Sequence, residues 1–290
     1  MATFSIPVRN VEPQAVLLCA VRVLWIAVPL LLLLPLHLIW HLLKLPSPWA
    51  MLFLRSAARA LGARVSVYGR PLRRDVFFVA NHISWHDIPI LAGITGSAFV
   101  AQDGVRDWPV IGWLAQRSGT LFIRRDLRRH TATINQQAAE LLAQGDCIGL
   151  FPEATTTDGR HLLPFHSSLF QAAVIHQAPV MMLTIRYHLA DGTIDTAPAY
   201  HGGLTLLDSF RAVLARQRIQ VDVTAIGTLD TQGKTRREIS LAAQTAIARH
   251  LNLPVQHKTP ETPADPPAAA PSTDHPTDNP YPRPHAGSPH

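Results

Sequence analysis

Val76-Phe77-Phe78-Val79-Ala80 runs without a break into Asn81-His82-Ile83-Ser84-Trp85-His86-Asp87-Ile88-Pro89. The first five residues, β-branched or aromatic at all but the last, read as a buried strand. The chain then turns polar, and Pro89 falls early in what reads as the next helix, where a missing N–H costs little. Strand, polar turn and helix in succession are the unit of an α/β domain. A His at the strand's end and an Asp one turn into the helix can meet through the imidazole Nδ1. That contact fixes the tautomer and leaves Nε2 as a general base. The spacing by itself is common, so a purely structural role for His82 and Asp87 is the other reading of these residues.

Outward from this stretch the same pattern repeats. Short apolar runs at Thr120-Leu121-Phe122-Ile123, Ile148-Gly149-Leu150-Phe151, Val180 to Tyr187 and Ile219 to Val223 read as further strands. Thr131 to Ala143, Ser167 to His176 and Arg236 to Leu251 read as helices between or after them. Two segments place polar groups directly after a strand: Gly119 to Arg125, and Phe151-Pro152-Glu153-Ala154-Thr155-Thr156-Thr157-Asp158-Gly159. In an open α/β sheet, ligands gather at the carboxyl ends of the strands. Arg124 and Arg125 could grip a phosphate there or lie on an exposed turn. Glu153 could bind a substrate hydroxyl, pair with an arginine, or simply start a helix.

Val23 to Trp40 is an uncharged apolar run of 18 residues, close to the roughly 20 that a helix needs to cross a bilayer. Pro29 and Pro35 lie inside it and favour a kink, so a span and a re-entrant hairpin both fit, with a buried core helix as the soluble alternative. No A-x-A site follows, which disfavours a cleavable signal. Beyond it, Arg55 and Arg59 share one face of a helix that carries Trp49 and Phe53 on another, as an interfacial helix would. The basic residues after the run outnumber those before it, which places the following domain on the cytoplasmic side. The tail from Pro254 holds 11 of the 24 prolines and too little apolar surface to offset ordering entropy, so disorder is expected.

Charged residues make up 16% of the chain, against about 25% in an average soluble domain, yet most of the length is too polar for a multi-spanning protein. The net charge of +6 hides a body of +8, and 23 of the 26 basic residues are Arg, the better group for phosphate and carboxylate. Nucleic acid is not an expected partner, since no basic stripe interleaved with aromatics appears. Two cysteines exclude a disulfide scaffold and argue against a Cys-based zinc site. His82 and His86 are four apart, but no third ligand stands near them, so no metal is expected. There is no Gly-x-Ser-x-Gly elbow, P-loop or dinucleotide fingerprint.

Taken in order, the motifs resemble a known family. Asn81-His82 with Asp87 is similar to the H-x4-D motif of the glycerolipid (lysophosphatidic acid) acyltransferases. Gly119, Phe122, Ile123 and Arg125 resemble the family's second block, Phe151-Pro152-Glu153 with Thr155 its third, and Ala178-Pro179-Val180 the start of its fourth. The resemblance implies His82 and Asp87 as the catalytic pair, and Arg125, Phe151, Pro152, Glu153 and Thr155 around the acceptor. Asn81, Gly119, Phe122, Ile123 and Pro179 are motif support. It also implies acyl-CoA or acyl-carrier protein as donor, a lysolipid as acceptor, membrane lipid as the setting, and no bound cofactor or metal. Departures bear on the acceptor: Ala154 stands in place of Gly, Thr156 of Arg, Gln102 of Lys, Met182 of a second Pro and Arg124 of Asp. Lysophosphatidic acid is the first expectation, with lyso-ornithine lipid or another lysolipid as the alternative; a non-catalytic membrane adaptor is the rival class.

The expected fold is α/β. It has a central mixed sheet flanked by helices over residues 61–253, a membrane-associated helical segment over 1–60 and a disordered Pro-rich tail over 254–290. The expected location is the inner membrane of a bacterium, with the catalytic domain cytoplasmic.

Overall fold

In the computed structural model, which describes residues 13–43, 48–108, 111–117, 119–124 and 128–256, the chain enters through two helices, α1 (Pro13–Leu42) and α2 (Trp49–Ala60). α1 runs through both Pro29 and Pro35. The segment Ala20–Trp40 is long and apolar enough to cross a membrane, and Leu24, Trp25, Leu31 and Leu32 stand exposed on it. Arg22 is the exception, a buried charge whose guanidinium donates to the carbonyls of Val213 at 3.2 Å and Leu214 at 2.7 Å, and to that of Arg216. α2 buries Ala57, Ala58 and Ala60 and leaves Arg55 and Arg59 exposed together, the one-faced arrangement expected from their spacing.

Then follow β1 (Ala63–Tyr68), β2 (Val76–Ala80), α3 (Asp87–Thr95), β3 (Ala98–Gln102), α4 (Ile111–Arg117), β4 (Leu121–Ile123), α5 (Arg128–Ala143), β5 (Cys147–Leu150), α6 (Gln171–His176), β6 (Val180–His188), α7 (Leu206–Ala215), β7 (Ile219–Leu229) and α8 (Arg236–Leu251). The strands form one mixed sheet in the order β1-β7-β6-β2-β5-β3-β4. β6, β2, β5, β3 and β4 run parallel; β7 is antiparallel to β6, and β1 is parallel to β7. The first residues of β1 and β7 therefore share an edge with the last residues of β2, β5 and β6.

β2 lies at the centre and all five of its residues are buried. Alternation sends Phe78 and Ala80 into a core with Ile90, Leu91, Leu183, Ile185 and Val223. Phe77 and Val79 enter a second core with Leu142, Phe170, Ala243 and Ile247. Covering both faces is what a mostly parallel sheet requires. Gly149 in β5 is needed for this packing, since a Cβ there would sit 2.6 Å from the Phe99 ring.

The strand expected at Ile219–Val223 runs on to Leu229. Its added residues pair with Val180 to Thr184 of β6 across a register shift at Met182/Leu183. The helix expected from Ser167 starts as a 3-10 turn, Ser167–Phe170, before α6. Pro254 to Gln256, at the start of the expected tail, pair with Leu162: its amide donates to the Pro254 carbonyl at 3.0 Å and its carbonyl accepts from Gln256 at 2.8 Å. Leu253 and Val255 add apolar side chains to the second core, which explains the order. The rest of the tail, 257–290, lies outside the described residues.

Candidate active site

The turn after β2 is built by its own side chains. Asn81, 2% exposed, donates from Nδ2 to the Ile185 carbonyl and accepts the Ile185 amide at Oδ1, both at 2.9 Å. This side chain continues the β2–β6 pairing one step beyond the strand and sets where His82 leaves the sheet. Asp87 opens α3, where a negative charge meets the positive end of the helix. It is fully buried, and its Oδ2 accepts the amides of Ile83 at 2.7 Å and Ser84 at 2.9 Å. The same oxygen lies 2.8 Å from His82 Nδ1. Its other oxygen, Oδ1, accepts the Tyr187 hydroxyl at 2.6 Å.

A carboxylate surrounded by donors leaves one role for Nδ1, that of donor, so the His82 lone pair is on Nε2. The imidazole is 16% exposed and stacks on the Phe151 ring, with centroids 3.9 Å apart and planes at 11°. Phe151 in turn stacks on Phe99 at 5.2 Å. The ring is thus held on two sides, by a buried carboxylate and an aromatic plane.

The loop after β5 clamps the same turn through main-chain groups. His82 N–H donates to Glu153 Oε1 at 2.8 Å, and Leu163 N–H donates to Oε2 at 2.8 Å. Thr157 N–H donates to the His82 carbonyl at 3.0 Å. Glu153 is 2% exposed; burial pushes its carboxyl up to about 8, against the pull of these two amides. Both oxygens of Glu153 thus hold backbone and tie the β5 loop to the His82 turn. Phe151 and Pro152 are buried and Thr155 is exposed; Phe151 supports the imidazole, and the Pro152 carbonyl accepts the His166 amide at 2.8 Å.

The remaining motif residues lie farther from the pair. Gly119 turns the chain at φ 75° before β4, and Phe122 and Ile123 are buried on that strand at the sheet's edge. Pro179 precedes β6 and its carbonyl accepts the Phe77 amide at 3.0 Å, at the opposite end of β2 from His82. Arg125 lies outside the described residues. Among the described residues no group of three or more His, Cys, Asp or Glu could hold a metal ion.

One residue of the site was not singled out from the sequence: Tyr187, whose signal was a tyrosine in an otherwise buried strand, since a buried phenol must find a partner. His86, set aside as a metal ligand in the sequence, is fully buried and stacked toward Tyr187 at 6.5 Å. Burial drives its imidazole down to about 4, against the favourable charge of Asp87, so it stays neutral beside the pair.

The fold is an α/β sheet whose strand ends present a His–Asp pair in a turn held from the β5 loop and from β6. The chain belongs to the acyltransferase family: the family model described as Acyltransferase matches residues 64–186. The lyso-ornithine lipid O-acyltransferase of Pseudomonas aeruginosa is 37% identical over 188 residues, 65% of this chain and 72% of that protein. The 1-acyl-sn-glycerol-3-phosphate acyltransferase of Neisseria gonorrhoeae is 38% identical over 149 residues, 50% of this chain and 58% of that protein. The crystal structure of the 1-acyl-sn-glycerophosphate acyltransferase PlsC from Thermotoga maritima has the same fold, with a TM-score of 0.60 at 21% identity over 82% of this chain and 95% of that one.

Proposed function

We propose that the protein moves a fatty acyl chain from a thioester donor, acyl-CoA or acyl-carrier protein, to the hydroxyl of a lysolipid at a bacterial inner membrane. One observation carries the reading: His82 Nδ1 lies 2.8 Å from a fully buried Asp87 while Nε2 stays free. Nε2 removes the proton from the acceptor hydroxyl as its oxygen attacks the thioester carbonyl. The C–O bond forms, the C–S bond breaks, and the imidazolium returns the proton to the departing sulfur. Asp87 holds the ring and stabilises its transient charge. A positioned base typically contributes ~10²–10⁴-fold, and a thioester is already activated, so holding the two substrates together supplies much of the rest.

The acceptor we favour is a lysolipid without a phosphate, lyso-ornithine lipid first. The positions where phosphate-handling members of the family carry a cation hold neutral Gln102 and Thr156, and the Thr156 hydroxyl is taken up by the Tyr200 carbonyl. The lyso-ornithine lipid relative also aligns over more of the chain than the glycerol phosphate one. That second class of relative, at similar identity, is the observation that keeps lysophosphatidic acid as the second reading.

The membrane setting rests on the apolar face of α1 and on strand direction. The end of α2, the end of α7 and the His82 turn all lie at one edge of the sheet, so the hairpin that would enter lipid leaves the domain beside the catalytic pair. The basic residues following the apolar run support a cytoplasmic domain.

The test is acyl transfer by membranes carrying the wild-type chain or His82→Ala, with labelled acyl-CoA or acyl-carrier protein and a panel of lysolipids. Product from the wild type, reduced at least ~100-fold in the variant, is the expected result. Equal product from both proteins would remove His82 from the chemistry.

A further inference from the structure

We propose that Tyr187 is a positioning residue for acyl transfer, its hydroxyl fixing the Asp87 carboxylate that in turn orients the His82 imidazole. The inference rests on the general-base reading of His82. The two oxygens of Asp87 do different work. Oδ2 takes the imidazole and the amides of Ile83 and Ser84, whereas among the described residues Oδ1 accepts from the Tyr187 hydroxyl, at 2.6 Å. Asp87 is fully buried and Tyr187 is 1% exposed, so the contact is made away from bulk solvent.

The placement follows from the sheet. Leu183, Ile185 and Tyr187 alternate onto one face of β6 and share the core beneath the turn. Asn81 locks that turn to Ile185, two residues before the phenol, so β6 sets both the exit of His82 and the height of Asp87. Burial and the neighbouring carboxylate raise the Tyr187 hydroxyl well above its ordinary 10, which keeps it a donor throughout the working pH range.

The phenol shares a charge that would otherwise fall on the imidazole alone. Other ionisable groups near Asp87 are His82 on the turn, His86 at the start of α3 and Glu153 from the β5 loop; Arg22 of α1 acts on His86. None of these donates to Oδ1. Without the hydroxyl, the carboxylate favours the imidazolium more strongly and turns more freely. The base is then protonated at higher pH and held less well.

The experiment is a pH–rate profile of Tyr187→Phe in membranes, with His82→Ala alongside. The expected result is a kcat about tenfold lower, the worth of one hydrogen bond to a charged group, with KM for donor and acceptor unchanged. The acidic limb of the profile moves to higher pH. A 3-fluorotyrosine at position 187 keeps the ring and strengthens the donor, so it moves the limb the other way, and it decides the matter if the Phe variant fails to fold. Wild-type kcat and an unmoved limb in Tyr187→Phe, or an unmoved limb with fluorotyrosine where Phe does not fold, overturn the inference while an inactive His82→Ala leaves the general base standing. An active His82→Ala removes both.

Discussion

Ala154 holds φ at 65°, in a region that costs a residue with a Cβ on the order of 1 kcal/mol and costs glycine almost nothing. It follows Glu153, and its amide donates to the Phe151 carbonyl at 3.2 Å, so this residue closes the turn that carries Glu153. The backbone here does what a glycine would do, with alanine carrying the strain. Ala154→Gly is therefore expected to stabilise the protein by about 0.5–1 kcal/mol, the relief being partly offset by the freer unfolded chain, with activity unchanged. Thermal unfolding of the two proteins checks it. A lower Tm for the glycine variant would mean that the alanine methyl contributes packing that outweighs the strain.

At the scale of elements, the β5 loop and the β2 turn form one unit joined through Glu153. Its carboxyl, pushed to about 8 from an ordinary 4.5 by burial, binds a proton more tightly in the folded state than in the unfolded one. The stability this gives is complete below about 4.5 and is lost as pH rises toward 8. The wild-type Tm should carry a downward component across that window which Glu153→Gln lacks. The amide variant can satisfy only one of the two amides with its oxygen and turns an NH2 group on the other. A cost of about 1–3 kcal/mol follows, together with a lower kcat as the His82 turn loosens. A Tm slope identical in both proteins would show that Glu153 stays ionised in the fold.

The same unit shows what the sequence made legible. The His–Asp pair could be read because strand, turn and helix follow one another locally, so five residues of spacing become one contact of 2.8 Å. The work of Glu153 and Tyr187 could not be read in this way, because it depends on partners 71 and 100 residues away that only the strand order brings together. The central strands, apolar throughout, announced themselves. β1 escaped because Arg64 and Ser66 break its apolar run and only Ala63 on this edge strand is buried, and β3 because only Phe99 on it is fully buried.

For the whole molecule, the question is how α1 meets a membrane. Its Arg22 end is bound to carbonyls at the end of α7. α7 in turn holds the His82 turn, since Trp85 donates to Ser209 Oγ at 3.0 Å and stacks on Phe210 at 4.1 Å. At its other end Trp40 meets Trp49 edge-to-face at 5.4 Å, from where α2 returns to the domain. There the α2 backbone at Arg55 passes so close to Gly93 of α3 that a Cβ on Gly93 would sit 3.0 Å away. Both ends of the hairpin thus sit on one body. Twelve residues of α2 rise ~18 Å, too little to recross a hydrocarbon core of ~30 Å. We expect the hairpin to dip into one leaflet and return. A single cysteine at Leu43, with Cys19 replaced by Ala, tests this with a membrane-impermeant maleimide. Burial raises the Cys147 thiol to about 11, which keeps it silent in the assay. A hairpin that dips leaves position 43 protected from both faces of sealed vesicles and labelled only after detergent is added. A spanning α1 would expose it on the face opposite the catalytic domain, and labelling from that face would exclude the re-entrant arrangement.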